Sequence, residues 1–279
     1  MQTGHSIWRR ILFNVFAWTV VLLISFPLLW MILTSLKPQS ELFLIPPTIL
    51  PSEITFEHYQ RLLTETPFLT YLRNSLWLAA GTTAVVIVVA ALGAHSLVRF
   101  SYPGRERLAR LVLFTYLLPS VVLIIPLYLF MIRVGLVNTL ASLIIAYTTF
   151  ALPYALWLLR SFMAAIPVDL EAAALVDGAS RMRAFIDVIL PQALPGIIST
   201  ALFTSILAWN EYLYALVLVN SDEVRPLTTG VMSILITSFN IEWSLLMAAS
   251  VMMSVPLIVI FVFLQRFLTS GFGAGAVKG

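Results

Sequence analysis

Ile166-Pro-Val-Asp-Leu-Glu-Ala-Ala-Ala-Leu-Val-Asp-Gly-Ala-Ser180 is the stretch on which the fold turns. It lies in a polar segment, Arg160 to Gly196, between two long apolar runs. Asp169 to Val176 reads as a helix with its acidic residues at the start, where the helix dipole favours them. Pro167 just ahead is a start signal. Gly178 suits the position just past the helix end. A second helix follows, about Arg181 to Leu190, limited by Pro191 and Pro195. Helix-glycine-helix makes a compact elbow. From composition alone two readings stand: an ordinary interfacial hairpin, and a rigid knob offered to a partner.

The flanks of that elbow place it at a membrane. The 279 residues are 60% hydrophobic and 10% charged, with a mean hydropathy of +0.98. A soluble domain carries about 25% charge, so one water-facing fold cannot hide this much apolar surface. A spanning helix needs about 20 apolar residues, and six stretches qualify. They are Ile11 to Leu36, Leu76 to Val98, Leu108 to Ile132, Leu140 to Leu159, Ile197 to Val219 and Leu245 to Leu268. The first is too long for the apolar core of a signal peptide and is read as a span. Leu42 to Leu50 is broken by Pro46 and Pro47, and Leu227 to Phe239 is too brief to cross. A short amphipathic helix is expected around Phe56 to Leu63.

With the N-terminus inside, the inner segments hold Arg9, Arg10, Arg99, Arg105, Arg107, Arg110, Arg160, Arg181, Arg183, Arg266 and Lys278. The outer ones hold Lys37, Arg61, Arg73, Arg133 and Arg225. The excess lies inside, as cytoplasmic loops require, and both termini are then cytoplasmic. The net charge of +3 is thus a topology signal and not a nucleic-acid footprint. The expected fold is all-α, a polytopic membrane protein with six transmembrane helices and a cytoplasmic loop between spans four and five. It forms one membrane domain over residues 1–279, with a core at about 71–268 and the loop at 160–196.

The elbow resembles the coupling loop of ABC-importer permeases, with its Glu-Ala-Ala, Gly and Leu-Pro signature. Asp177, Gly178, Ala179, Leu190 and Pro191 match in order and spacing, and Ala173 and Ala174 match the two alanines. One departure stands out. Counting back from Gly178, the family's glutamate falls at Ala172, and Glu171 matches an acidic residue that often precedes it. Glu171 is therefore given no specific salt bridge. Val188 stands where the family has isoleucine. Phe26-Pro-Leu-Leu-Trp30, Ser35-Leu-Lys37, Glu41, Pro46-Pro47, Thr55-Phe-Glu-His-Tyr59, Asn74-Ser-Leu76, Trp209-Asn-Glu211 and Gly275-Ala-Val-Lys-Gly279 are similar to the carbohydrate-type permeases, the shorter of the paired kind.

The resemblance implies a transport subunit and not an enzyme. It implies a homologous second permease, two separate ATP-binding subunits that hold ATP and magnesium, an extracytoplasmic solute-binding protein, and a sugar or polyol as substrate. No cofactor is expected in this chain, and no nucleic acid as a partner. The expected location is the bacterial inner membrane. In this picture Asp169 to Pro191, Glu171 included, receives the ATPase stroke. The tail with Gly275, Val277 and Lys278 contacts the ATPase subunits.

Other residues carry paired readings. Asn210 and Glu211 lie in an apolar run where a charge is costly. They line a translocation path, or they bond one helix to another. Trp209 and Tyr212 beside them suit sugar rings by stacking, and suit ordinary packing equally. Pro119, Pro126 and Pro153 favour kinks. Three scattered histidines and no cysteine give no metal site. The glycine-rich tail lacks the Ser or Thr and the following helix of a phosphate loop. The alternative from another class is an ion-coupled secondary transporter, for which Glu211 is the one intramembrane acid available.

Overall fold

The computed structural model describes residues 4–237 and 242–273, and every regular element among them is helical. In chain order these are α1 (Gly4–Ser35), α2 (Glu57–Thr64), α3 (Phe68–Arg99), α4 (Arg105–Tyr116), α5 (Ile124–Arg133), α6 (Leu140–Ala164), α7 (Val168–Val176), α8 (Arg181–Ala184), α9 (Leu190–Gln192), α10 (Leu194–Asn210), α11 (Leu213–Leu218), α12 (Leu227–Thr237) and α13 (Trp243–Gly273). The chain divides into two compact units, residues 1–67 with 233–255 and residues 68–232 with 256–279.

In the first unit the apolar window of α1 has none of its residues buried by protein. With every backbone bond made inside the helix, such a surface is at home in lipid. Pro46 and Pro47 keep the following stretch irregular, and side chains hold it in place. Glu41 accepts from the amide of Ser52 at 3.1 and 3.2 Å, and Lys37 donates to the carbonyl of Thr48. The expected amphipathic helix is α2. Its Tyr59 hydroxyl meets Ser35 Oγ at 2.6 Å. Arg61 grips both oxygens of Glu242 at 2.8 and 3.1 Å.

The second unit is built on α3, α6 and α10, which pack on one another. Alanines make the seam. Ala90 and Ala94 of α3, and Ala151 and Ala155 of α6, are one turn apart, and all are buried. Small residues at this spacing let two helix backbones approach where lipid gives no hydrophobic drive to associate. Thr83 and Ser205 add a hydroxyl bond at 2.9 Å between α3 and α10. At the start of α10 there is no room at all: a Cβ on Gly196 would lie 2.4 Å from Cγ of Phe162 on α6.

Four helical stretches are individually long and apolar enough to cross: Trp8–Ser35, Phe68–Arg99, Leu140–Ala164 and Trp243–Phe263. Two bent pairs add one crossing each if each pair is counted as a single span, so the described residues offer four to six. The run Leu108 to Ile132, expected as one span, is split: α4 and the helix from Ser120 to Arg133 meet at 96°. Pro119 stands at the bend with an extended ψ of 124°, where a proline interrupts the ladder. The run Ile197 to Val219 is split as well, between α10 and α11 at Glu211 and Tyr212. A hydropathy window averages across each break and carries no sign of a change in direction. The apolar segment after Leu227 is α12, which at 11 residues is short of a crossing.

The contact at Gly196 yields a test. Gly196→Ala drives a methyl into the base of the Phe162 ring and is expected to destabilise the purified protein by about 1–3 kcal/mol, the usual cost of overpacking. Gly196→Ala combined with Phe162→Ala should be less destabilised than the sum of the two single changes. Thermal unfolding in detergent reads both, and strict additivity would refute the clash.

Candidate functional site

The elbow forms where the sequence places it, and its ends follow local rules. Pro167 precedes the first turn of α7. At the other end Gly178 has φ +89°, a left-handed conformation that glycine adopts without a Cβ penalty. The amide of Ala179 donates to the carbonyl of Ala174 at 3.0 Å and that of Gly178 to Leu175 at 3.1 Å. These two bonds close the helix as a Schellman turn. Ser180 then caps α8, its hydroxyl accepting from the amide of Arg183 at 3.3 Å.

Beyond α8 the structure departs from the expected limit at Leu190 and Pro191. The helix widens into a π turn over Phe185–Ile189 and continues through Pro191 to Gln192. Pro191 has no amide hydrogen to give, and the wide turn lets the helix pass without the bond that a proline cannot make. The chain breaks at Ala193 instead, turning by 76° into α10.

One contact roots the elbow in the second unit. Glu171 is only 6% exposed. Its Oε2 lies 3.0 Å from Nε of Arg99 and its Oε1 lies 3.4 Å from Nε2 of His95. Both partners stand on the last turns of α3. Arg99 also donates to the carbonyl of Ile166 at 2.9 Å, just before α7. The His95 ring packs on Phe185 of the π turn, with centroids 4.6 Å apart. Sequence reading left Glu171 without a salt bridge, and the structure supplies one. Its partners lie far away in the chain, so no local signal could reveal them. Ala172, where the family's glutamate would stand, is exposed.

The opposite side of the elbow is open. Val176 is 87% exposed, and Val168, Leu175 and Met182 are exposed apolar side chains. Asp169, Ala173, Asp177 and Gly178 are exposed too, Ala174, Ala179 and Leu190 are half-buried, and Pro191 is exposed.

Trp209, Asn210, Glu211 and Tyr212 sit at the break in the fifth apolar run. Trp209 is buried, which suits packing and not stacking on a solute. Asn210 is exposed and donates to the carbonyl of Ile206 at 2.8 Å, and Tyr212 is half-buried. Glu211 works as a cap. Its carboxylate accepts from the amide of Tyr214 at 3.1 Å and from that of Ala215 at 3.3 Å, both at the start of α11. Amides left open at a helix start in an apolar setting are costly, and a buried carboxylate needs donors; each meets the other's need. Tyr214 then reaches the bend at Pro119, donating its hydroxyl to the carbonyl of Ser120 at 2.6 Å.

Among the described residues no cluster of three or more histidine, aspartate or glutamate side chains could hold a metal ion. Gly275, Val277 and Lys278 lie outside the described residues.

Known proteins share this layout. A family model described as "Binding-protein-dependent transport system inner membrane component" matches residues 87–273. The chain is 35% identical over 275 residues to the diacetylchitobiose uptake system permease protein DasC of Streptomyces coelicolor, covering 99% of each. It is 33% identical over 282 residues to the trehalose/maltose transport system permease protein MalG of Thermococcus litoralis, again covering 99% of each. A bacterial ABC transporter involved in the import of the acidic polysaccharide alginate contains a chain of similar fold. The TM-score is 0.80 at 22% identity, over 95% of this chain and 98% of that one.

Removing one partner of a buried ion pair strands the other charge. Glu171→Leu is therefore expected to destabilise the protein by about 3–5 kcal/mol. The double change Glu171→Leu with Arg99→Met should recover much of that loss, because it leaves neither charge uncompensated. Thermal unfolding of the purified variants checks this, and a double variant worse than the single one would rule out the pairing.

Proposed function

The chain belongs to the binding-protein-dependent transport system inner membrane component family, a multi-pass permease subunit and not an enzyme, and from that premise we propose that it imports a sugar or polyol under the drive of partner ATPases. Two relatives that match end to end carry names of disaccharide uptake or transport systems, which supports a carbohydrate as substrate. In this proposal residues 1–279 form one transport domain that crosses the membrane six times, with α4 to α5 as the third crossing and α10 to α11 as the fifth. The two termini and the elbow face the cytoplasm, the side that the arginine excess favours.

A homologous second permease would complete the path. Two separate subunits would bind ATP and magnesium, and an extracytoplasmic binding protein would deliver the solute. Force enters at the elbow. The observation that carries this role is the pairing of an exposed apolar tip, Leu175 and Val176, with a buried root at Glu171. A tip alone would fold away under load. A tip tied by an ion pair to α3, which packs along α6 and α10, passes a push into the helices. ATP and the loaded binding protein then shift the permease between its inward and outward states by their differential affinity for the two.

Asn210 and Tyr212, beside the break, are the proposed path residues, with Glu211 holding their backbone in place. The ion-coupled alternative needs an acid free to exchange its charge. Glu211 is the one that sequence offered, and its carboxylate is committed to the start of α11.

Gly178→Pro tests the elbow. Proline fixes φ near −65° and cannot donate to Leu175, so the end of α7 cannot form. The variant is expected to insert and to co-purify with ATPase subunits, while hydrolysis no longer rises with loaded binding protein and uptake is lost. Uptake at the wild-type rate by this variant in vesicles would remove the elbow from the mechanism. A wild-type preparation that holds no ATPase subunit would remove the importer reading itself.

A further inference from the structure

A group of arginines that the transport reading leaves unused borders one hollow. The loop after α3 and the first turns of α4 border an open hollow of about 560 Å³ lined by Tyr102, Gly104, Arg105, Glu106, Arg107 and Arg110. Glu106 is the acidic side chain of that lining, and it is already shared. Arg160 donates to both its oxygens at 2.9 and 3.0 Å, and Nε of Arg105 lies 3.5 Å away. Arg110 is turned to the backbone, donating from Nε to the carbonyl of Glu106 at 3.2 Å. Arg107 is exposed, and among the described residues it pairs with no carboxylate. Two guanidinium groups, of Arg105 and Arg160, thus meet the one carboxylate, and those of Arg107 and Arg110 are left without one among the described residues.

The same helix continues the surface in a different chemistry. Arg107, Arg110, Leu111 and Phe114 are spaced three, one and three residues apart, which puts them on one stripe of a 3.6-residue helix. All four are exposed, and Leu111 and Phe114 are each 60% exposed. The stripe is cationic at the loop end and apolar further along. A soluble anion would use only its first half, and a plain acyl chain only its second.

We propose that this surface seats an anionic phospholipid, its phosphate among Arg105, Arg107 and Arg110 and an acyl chain along Leu111 and Phe114. Charge complementarity selects the headgroup, since clustered basic residues beside a span attract anionic lipid. The exposed apolar half selects a membrane ligand over a free phosphate. The inference goes beyond the transport reading and needs only that the chain spans a bilayer.

The test uses the wild-type protein with whatever subunits co-purify. It is reconstituted in nanodiscs of phosphatidylcholine mixed with phosphatidylglycerol, extracted into detergent, and examined by native mass spectrometry for lipid retained on this chain. Phosphatidylglycerol is expected to be retained over phosphatidylcholine by about tenfold at low salt, and less as ionic strength rises. Arg107→Gln with Arg110→Gln should abolish that preference, while Arg107→Lys with Arg110→Lys should keep most of it. Equal retention of the two lipids by the wild type, or undiminished preference in the glutamine variant, overturns the site. So does a cross-link from either introduced lysine of the second variant to an acidic face of a co-purified subunit in place of lipid.

Discussion

The carboxylate of Glu171 is the constraint on which the elbow depends. A charge this deeply buried is tolerable only when it is paired, and Arg99 and His95 supply the pairing from the last turns of α3. The consequence is mechanical. α7 cannot leave α3 without stranding two charges, so the elbow behaves as an outgrowth of the core helix and not as a loop between spans. The ring of His95 against Phe185 and the bond from Arg99 to Ile166 tie both limbs of the elbow to the same turn. An exposed apolar tip on such a base can be pressed without folding away.

Features that depend on a residue's immediate neighbours were legible in the chain. Pro167 ahead of a helix, Gly178 behind it, and the amphipathic pattern of α2 each follow from local chemistry, and each has its counterpart in the structure. The role of Glu171 was not legible, because it depends on a residue of another helix. Measured against the family signature, Glu171 looked like an acid one place out of register, with Ala172 in the proper position. The structure gives that acid its own reason to be there: it faces inward toward Arg99, while Ala172 faces solvent.

The broken apolar runs show a second limit. Leu108 to Ile132 and Ile197 to Val219 are continuous in hydropathy, and a window average has no knowledge of direction. Pro119 signalled a kink in the first of them without its size. In the second, Glu211 reads as a lining of the translocation path or as a bond between helices. Its actual partners are the amides of the next helix, the arrangement of a side-chain cap. An acid three residues before Tyr214 would be read as a cap in a soluble protein. The apolar surroundings hid that signal here.

That cap changes what the fifth apolar run can do. A continuous helix at that depth can bend only by giving up hydrogen bonds where no water replaces them. Here the ladder already stops at Asn210 and begins again at Leu213, with the first free amides after the gap held by the Glu211 side chain. The two rods can swivel about the backbone torsions of Glu211 and Tyr212 with every ladder bond intact. Turning there must instead exchange side-chain bonds: the Glu211 cap, Thr228 donating to the carbonyl of Glu211 at 2.7 Å, and Tyr214 donating to that of Ser120 at 2.6 Å, so the joint is latched by side chains and not by a helical ladder.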